Sequence, residues 1–158
     1  MSIGLPDWMD AFDTKAMNAI IKHGWMVQGV FPDPEEGVKT FSYTSGLTQY
    51  DEHPELVITG IHPQTAGLLL NSLGDLVKDH GRRLVAGEEL SNVLGRDFMV
   101  RLVEADPNRE DYPMSMARRF FPECTALQML WPDKHGAFPD SPEYSLSAAS
   151  QPLLPLSR

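Results

Sequence analysis

The chain is poor in cysteine, in basic residues and in long apolar runs, and each shortage removes a class of function. Cys124 is the single cysteine among 158 residues. One thiol closes no internal disulfide and builds no thiolate zinc site, which suits a reducing cytoplasm. Lysine and arginine number 13 against 22 acidic residues, for a formal charge of −9. Phosphate backbones are held by clustered cations, so nucleic acid is not an expected partner. The basic pairs Arg82-Arg83 and Arg118-Arg119 read as solvated faces. No run approaches the roughly 18 apolar residues of a membrane span. The first ten residues lack the basic start and apolar core of a secretory signal. A soluble, cytoplasmic protein is expected.

Familiar catalytic motifs are missing as well. There is no G-x-G-x-x-G, no Walker loop and no G-x-S-x-G elbow, so dinucleotide, P-loop and serine-hydrolase sites have no support. Trp131-Pro132-Asp133 is similar to the mobile acid loop of tyrosine phosphatases. That chemistry needs a thiolate in a phosphate cradle closed by arginine, and Thr125 to Met129 after Cys124 hold neither glycine nor arginine. His53-Pro54-Glu55 matches the H-x-E half of zinc deaminases, but the P-C-x-x-C half is absent. His53, Glu55, His62, Asp133 and His135 are the only nitrogen and oxygen ligands worth weighing for a metal. No helical pair arranges them, and no metal is expected.

What is present reads as an ordinary single domain with a tail. Residues 13–23 carry a helical stripe (Ala16, Met17, Ile20, Ile21), with Asp13 as cap and Gly24 as stop. Residues 25–30, 40–47 and 55–61 read as three strands, broken by the proline-rich loop 31–37 and the polar turn 48–53. Pro63 opens the clearest helix, on Ala66, Leu69, Leu70, Leu73, Leu76 and Val77, and Gly81 is its expected end. Residues 84–97 read as a short hairpin or an irregular strand, 98–104 as a strand, 115–121 as a short helix with Arg118 and Arg119 outward, and 125–131 as the last strand. The expected fold is α+β: an antiparallel sheet, partly curled toward a barrel, with the two main helices on one side. Residues 1–138 form the domain. Residues 139–158 form a Pro/Ser-rich tail, which lies along the body or along a neighbouring subunit.

Aromatic, glycine, histidine and carboxylate residues cluster at the strand ends: His23-Gly24-Trp25, Tyr43-Thr44-Ser45-Gly46-Leu47, His53-Pro54-Glu55-Leu56 and Leu127-Gln128 through Trp131-Pro132-Asp133, with Gly136 and Phe138-Pro139. In order and spacing these pieces resemble the bacterial family named domain of unknown function 4262, from about Ile20 to Phe138. Ser45 stands where that family has an aliphatic residue. The resemblance implies a small bacterial or phage protein and carries no activity to any residue. A looser similarity, to flavin-reductase-like split barrels, touches Thr44, Ser45 and Gly46 and implies a flavin phosphate at that strand end.

The leading expectation is a pocket that holds a small polar ligand, a nucleotide or a flavin, lined by Tyr43, Thr44, Ser45, Gly46, His53, Glu55, Trp131, Asp133 and His135. It requires these side chains to converge. The alternative is a protein-interaction module, such as an immunity or anti-defence factor. Its acidic surface would steer a partner, and Trp8, Phe12, Leu153 and Leu154 would be contacts. A third reading makes His53, Asp133 and His135 the acid–base groups of a hydrolase or isomerase. A homodimer is compatible with all three.

Overall fold

The computed structural model describes residues 9–31, 35, 39–95 and 97–156. Trp8 and most of the loop over 31–37 lie outside the described residues. Helix α1 (Ala11–His23) is followed by strands β1 (Met26–Val30), β2 (Phe41–Ser45) and β3 (Glu55–Thr59), then by helix α2 (Pro63–Lys78). Strands β4 (Glu89–Leu90) and β5 (Val100–Ala105), helix α3 (Ser115–Phe120) and strand β6 (Ala126–Leu130) complete the body.

The main expected helices and strands form, with shifts at the ends that have local causes; over 84–97 the described residues hold only the two-residue β4, which pairs with β5. The cap of α1 is Asp10. Its carboxylate accepts from the Asp13 N–H while Asp13 reaches back to the Asp10 N–H, a reciprocal box that makes Asp13 the third residue of the helix. Helix α2 begins with the His62 Nδ1 accepting from the Gln64 N–H, and it ends at Asp79 rather than at Gly81. Gly81 instead serves the turn beyond, with φ of 61°.

The strands form one six-stranded sheet in the order β1-β2-β3-β6-β5-β4. All pairs are antiparallel except β3 with β6, where Glu55 pairs with Ala126 and Val57 with Gln128. The fold is α+β as expected. The sheet stays open, with β1 and β4 as its edges, so no barrel closes. The helices also divide between its faces. Leu56 and Ile58 of β3 pack with Leu69, Leu70 and Leu73 of α2. Their neighbour Val57 points the other way and packs with Ala16 of α1, Met116 and Ala117 of α3, and Leu154 of the tail. The tail is thus docked on its own subunit. Nor does Arg119 simply face solvent: its guanidinium lies 2.7 Å from the buried carboxylate of Asp13 and ties α3 to α1. Among the described residues no helix is long and apolar enough to cross a membrane.

Gly74 marks where α2 meets Trp25, in the link between α1 and β1. A Cβ there would come within 2.6 Å of the Trp25 indole, whose N–H donates to Asn71 Oδ1 at 3.0 Å. In an open helix Gly→Ala stabilises by about 1 kcal/mol. Here Gly74→Ala should destabilise by about 1–3 kcal/mol, because the indole must move in a packed interior. Urea denaturation followed by tryptophan fluorescence checks the sign.

Candidate functional site

The residues singled out by sequence gather at the two opposite ends of the sheet. Because β3 and β6 run parallel from a shared start at Glu55 and Ala126, Trp131 lies five residues further along, about 16 Å away at ~3.3 Å per residue. None of the five main clefts among the described residues is lined by residues from both groups.

At the first end, Glu55 organises everything. Its buried carboxylate accepts five hydrogen bonds: Thr44 Oγ1 at 2.8 Å, the N–H groups of Gly46, Leu47 and Thr48 at 3.1, 3.1 and 2.9 Å, and Thr48 Oγ1 at 2.5 Å. Burial raises its pKa, while the Thr48, Thr44 and Gly46 donors pull it back. The three N–H groups can only donate, so the cage is built for the anion. Gly46 is required by backbone, not by a phosphate: its φ is +122°, and a Cβ would sit 2.9 Å from the Trp25 Cα. The Ser45 hydroxyl is buried without a partner. Tyr43 points to the opposite face from Thr44, and its hydroxyl accepts from the Met116 N–H at 3.0 Å. His53 is also committed. Nδ1 lies 2.7 Å from the Pro54 carbonyl and Nε2 accepts from the Leu84 N–H at 2.9 Å, a pairing that assigns the proton to Nδ1.

At the second end Asp133 holds a turn. It accepts from the N–H and hydroxyl of Ser145 and from the N–H groups of His135 and Ala137. These donors, Ser145 first, keep its pKa well below the usual carboxylate range. The Trp131 indole N–H donates to the Thr59 carbonyl at 2.9 Å. His135 lines a polar cleft of 490 Å³ beside Arg101 and Asp140, while Tyr43 and His53 each line a different cleft. The nine residues therefore line no shared pocket. Most spend their polar atoms on backbone, which leaves little for acid–base work. Among the described residues no group of three or more His, Cys, Asp or Glu is placed to hold a metal ion.

A larger cleft than any of these, among the described residues, lies along the outer edge of β1. It is a cleft of 830 Å³ with β1 as its floor, Phe12, Lys15, Ala16, Ala19 and His23 of α1 on one wall, and Asn71 and Asp75 of α2 on the other. A second cleft of 520 Å³ shares Phe12 and Gln28 and extends the trough past Val30 toward Met116. Phe12 is 58% exposed and Leu68 70%. Leu68, one turn before Asn71, stands on the same α2 wall. Sequence reading marked Phe12 as a contact but took Trp25 to Val30 simply as a strand. The available signal was that Met26-Val27-Gln28-Gly29-Val30 contains no charge and no proline.

The model of the family described as Domain of unknown function (DUF4262) matches residues 19–145. No curated protein and no solved structure matches the chain.

Two outcomes check the committed groups. Glu55→Ala should destabilise by about 3–5 kcal/mol, since several buried donors lose their acceptor together; a chemical melt reads it. Burial lowers the pKa of His53 from its usual 6.5, aided by Arg83 and opposed by the Pro54 carbonyl and Glu88. Below pH 6.5 the unfolded chain therefore takes up a proton that the folded chain refuses. Stability should fall from that pH downward, until the folded-state pKa is passed. In His53→Gln this part of the pH dependence of the melting temperature should vanish.

Proposed function

The chain belongs to this family of unknown function, and since the family assigns no chemistry we propose that the domain is a protein-interaction module that takes up an extended polypeptide segment along β1. One observation carries the reading: the two sheet edges are treated differently. Edge β4 is two residues long, and its Glu89 is paired with Arg101 of β5, as expected for an edge guarded against pairing. Edge β1 is five half-buried residues without charge or proline, lying in an apolar trough between two helices. Backbone donors and acceptors along such an edge are what an added strand engages.

The walls specify the segment. Side chains of an added strand alternate between the two sheet faces. Those toward α1 meet Phe12, Ala16 and Ala19 together with Lys15 and His23, which favours apolar residues over basic ones. Those toward α2 meet Asn71 and Asp75, which favours polar or basic ones. A partner strand with that alternation fits a chain of net charge −9. The trough volume also lies within the ~300–1,000 Å³ range of small-molecule sites, so a polar small ligand bound in the same place is the second reading.

Selection of peptides from a random display library should return segments alternating apolar with basic or polar residues. Their binding should slow amide hydrogen exchange of residues 26–30. Val27→Lys, which puts a charge on the trough floor, should weaken them at least about tenfold while the melt stays cooperative. Peptides that leave exchange in β1 unchanged would sink the reading. A small molecule retained on β1 in a native mass spectrum would replace it with the second.

A further inference from the structure

The C-terminal segment crosses the α1/α3 face of the sheet as a strap, and its contacts are those of a ligand in a receptor. Pro152, Leu153, Leu154 and Pro155 follow Gln151, and two prolines in five residues leave few N–H groups for strand pairing. The sheet reads this backbone with side chains instead. The Pro152 carbonyl accepts from Thr59 Oγ1 and from Gln128 Nε2, both at 2.8 Å. The same Gln128 amide accepts from the Leu154 N–H through Oε1 at 3.0 Å. One buried glutamine thus takes the carbonyl of one residue and the N–H of the residue two further on, which requires an extended segment. The Leu154 carbonyl accepts from the Asp106 N–H at 2.9 Å and the Pro155 carbonyl from Arg109 at 3.1 Å. At the leading end the Gln151 amide takes both the N–H and the carbonyl of Trp131, at 2.9 and 2.8 Å.

The body is shaped for this segment. Gly60 has φ of +81°, and a Cβ there would lie 2.0 Å from the Ser150 carbonyl oxygen. Leu154 is 1% exposed, whereas Leu153 and Leu156 on either side are 41% and 48% exposed. Recognition is thus one inserted leucine plus backbone. The residues leading in, 145–149, are exposed, and the family match ends at residue 145, before the strap.

We propose that residues 151–155 are a ligand carried on the chain's own end, and that the groove formed by Thr59, Gly60, Asp106, Arg109, Gln128 and Trp131 is a peptide-recognition site for an extended segment presenting a leucine between two prolines. The inference stands apart from the β1 trough, which lies at the sheet edge. The strap occupies the groove in the closed protein, and the site is exposed when the strap lifts.

The test uses the whole chain with a protease recognition sequence inserted between Leu146 and Ser147. Cutting removes only the tether. A fluorescently labelled peptide with the sequence of residues 147–158 should then exchange saturably into the nicked protein, read by anisotropy and by Trp131 emission. The same peptide with Leu154→Ala should bind on the order of 10- to 100-fold weaker. Gln128→Leu in the protein should cost at least about tenfold, because the strap's N–H and carbonyl lose their partner. A nicked protein that keeps its strap without exchange, that loses its cooperative melt on cutting, or that binds the Leu154→Ala peptide equally well overturns the proposal and makes 151–155 part of the folded body.

Discussion

The buried carboxylate of Glu55 is the constraint on which the first end of the sheet depends. It satisfies three successive N–H groups that open the 3-10 turn Leu47–Gln49 and ties the Thr44 hydroxyl into the same cage. Thr44 Oγ1 in turn accepts from the Leu56 N–H at 2.9 Å, so one side-chain chain of bonds closes β2 onto β3. The turn so fixed brings Gly46 against Trp25 and Ile20, and Gln49 and Tyr50 onto the carbonyl of Gly24 that ends α1. The position of α1 beside β1, and with it one wall of the edge trough, thus follows from an anion held inside the protein. The same charge, after burial itself, helps push the Cys124 thiol up to about 11, so the one cysteine is kept as an unreactive thiol at neutral pH.

The parallel pairing of β3 with β6 governs the rest. Parallel neighbours put their starts at one end and their finishes at the other. Glu55 and His53 therefore stand at the start of the pair, and Trp131 and Asp133 at its finish. The chain returns to β6 only after α2, β4, β5 and α3, with β5 placed on the far side. No local feature of residues 84–125 announces that β6 will slot between β3 and β5. A run of strands with short connections reads as antiparallel neighbours, and that reading brings all the strand-end residues together where the real topology separates them.

This explains what was legible. Helices and strands follow from periodicity within ten or so residues, and the stripe Ala66, Leu69, Leu70, Leu73, Val77 is the buried face of α2. Gly24 as a helix stop follows from its left-handed φ of 95°. Capping at Asp10 rather than Asp13 was harder, since both carboxylates fit the pattern and only the reciprocal bond between them decides. The site was least legible. Glycine, threonine, histidine and carboxylate at strand ends are residues that a ligand site uses, but they are equally the residues that satisfy backbone groups where ladders stop. Thr44, His53, Glu55 and Asp133 serve the second purpose, and Gly46 supplies the positive φ that the turn needs. In β1, by contrast, the informative feature was the residue types left out.

The two peptide-sized surfaces obey one rule, that backbone polar groups facing a groove must find partners. At the strap, side-chain amides supply them. Gln128 and Gln151 each use both ends of an amide, so that β6 and the tail bond to each other without forming a strand, and the prolines prevent the tail from becoming one. Among the described residues no strand, strap or side-chain amide fills the β1 trough in that way; the Gln28 amide turns back on the carbonyl of its own neighbour, Gly29, at 3.0 Å. Among the described residues the sheet is covered on both faces by its own chain, its β4 edge is short and carries the Glu89–Arg101 pair, and β1 has no strand beyond it. In the proposed reading, a strand added at β1 would have its side chains sorted between the α1 and α2 walls by the alternation of the pleat.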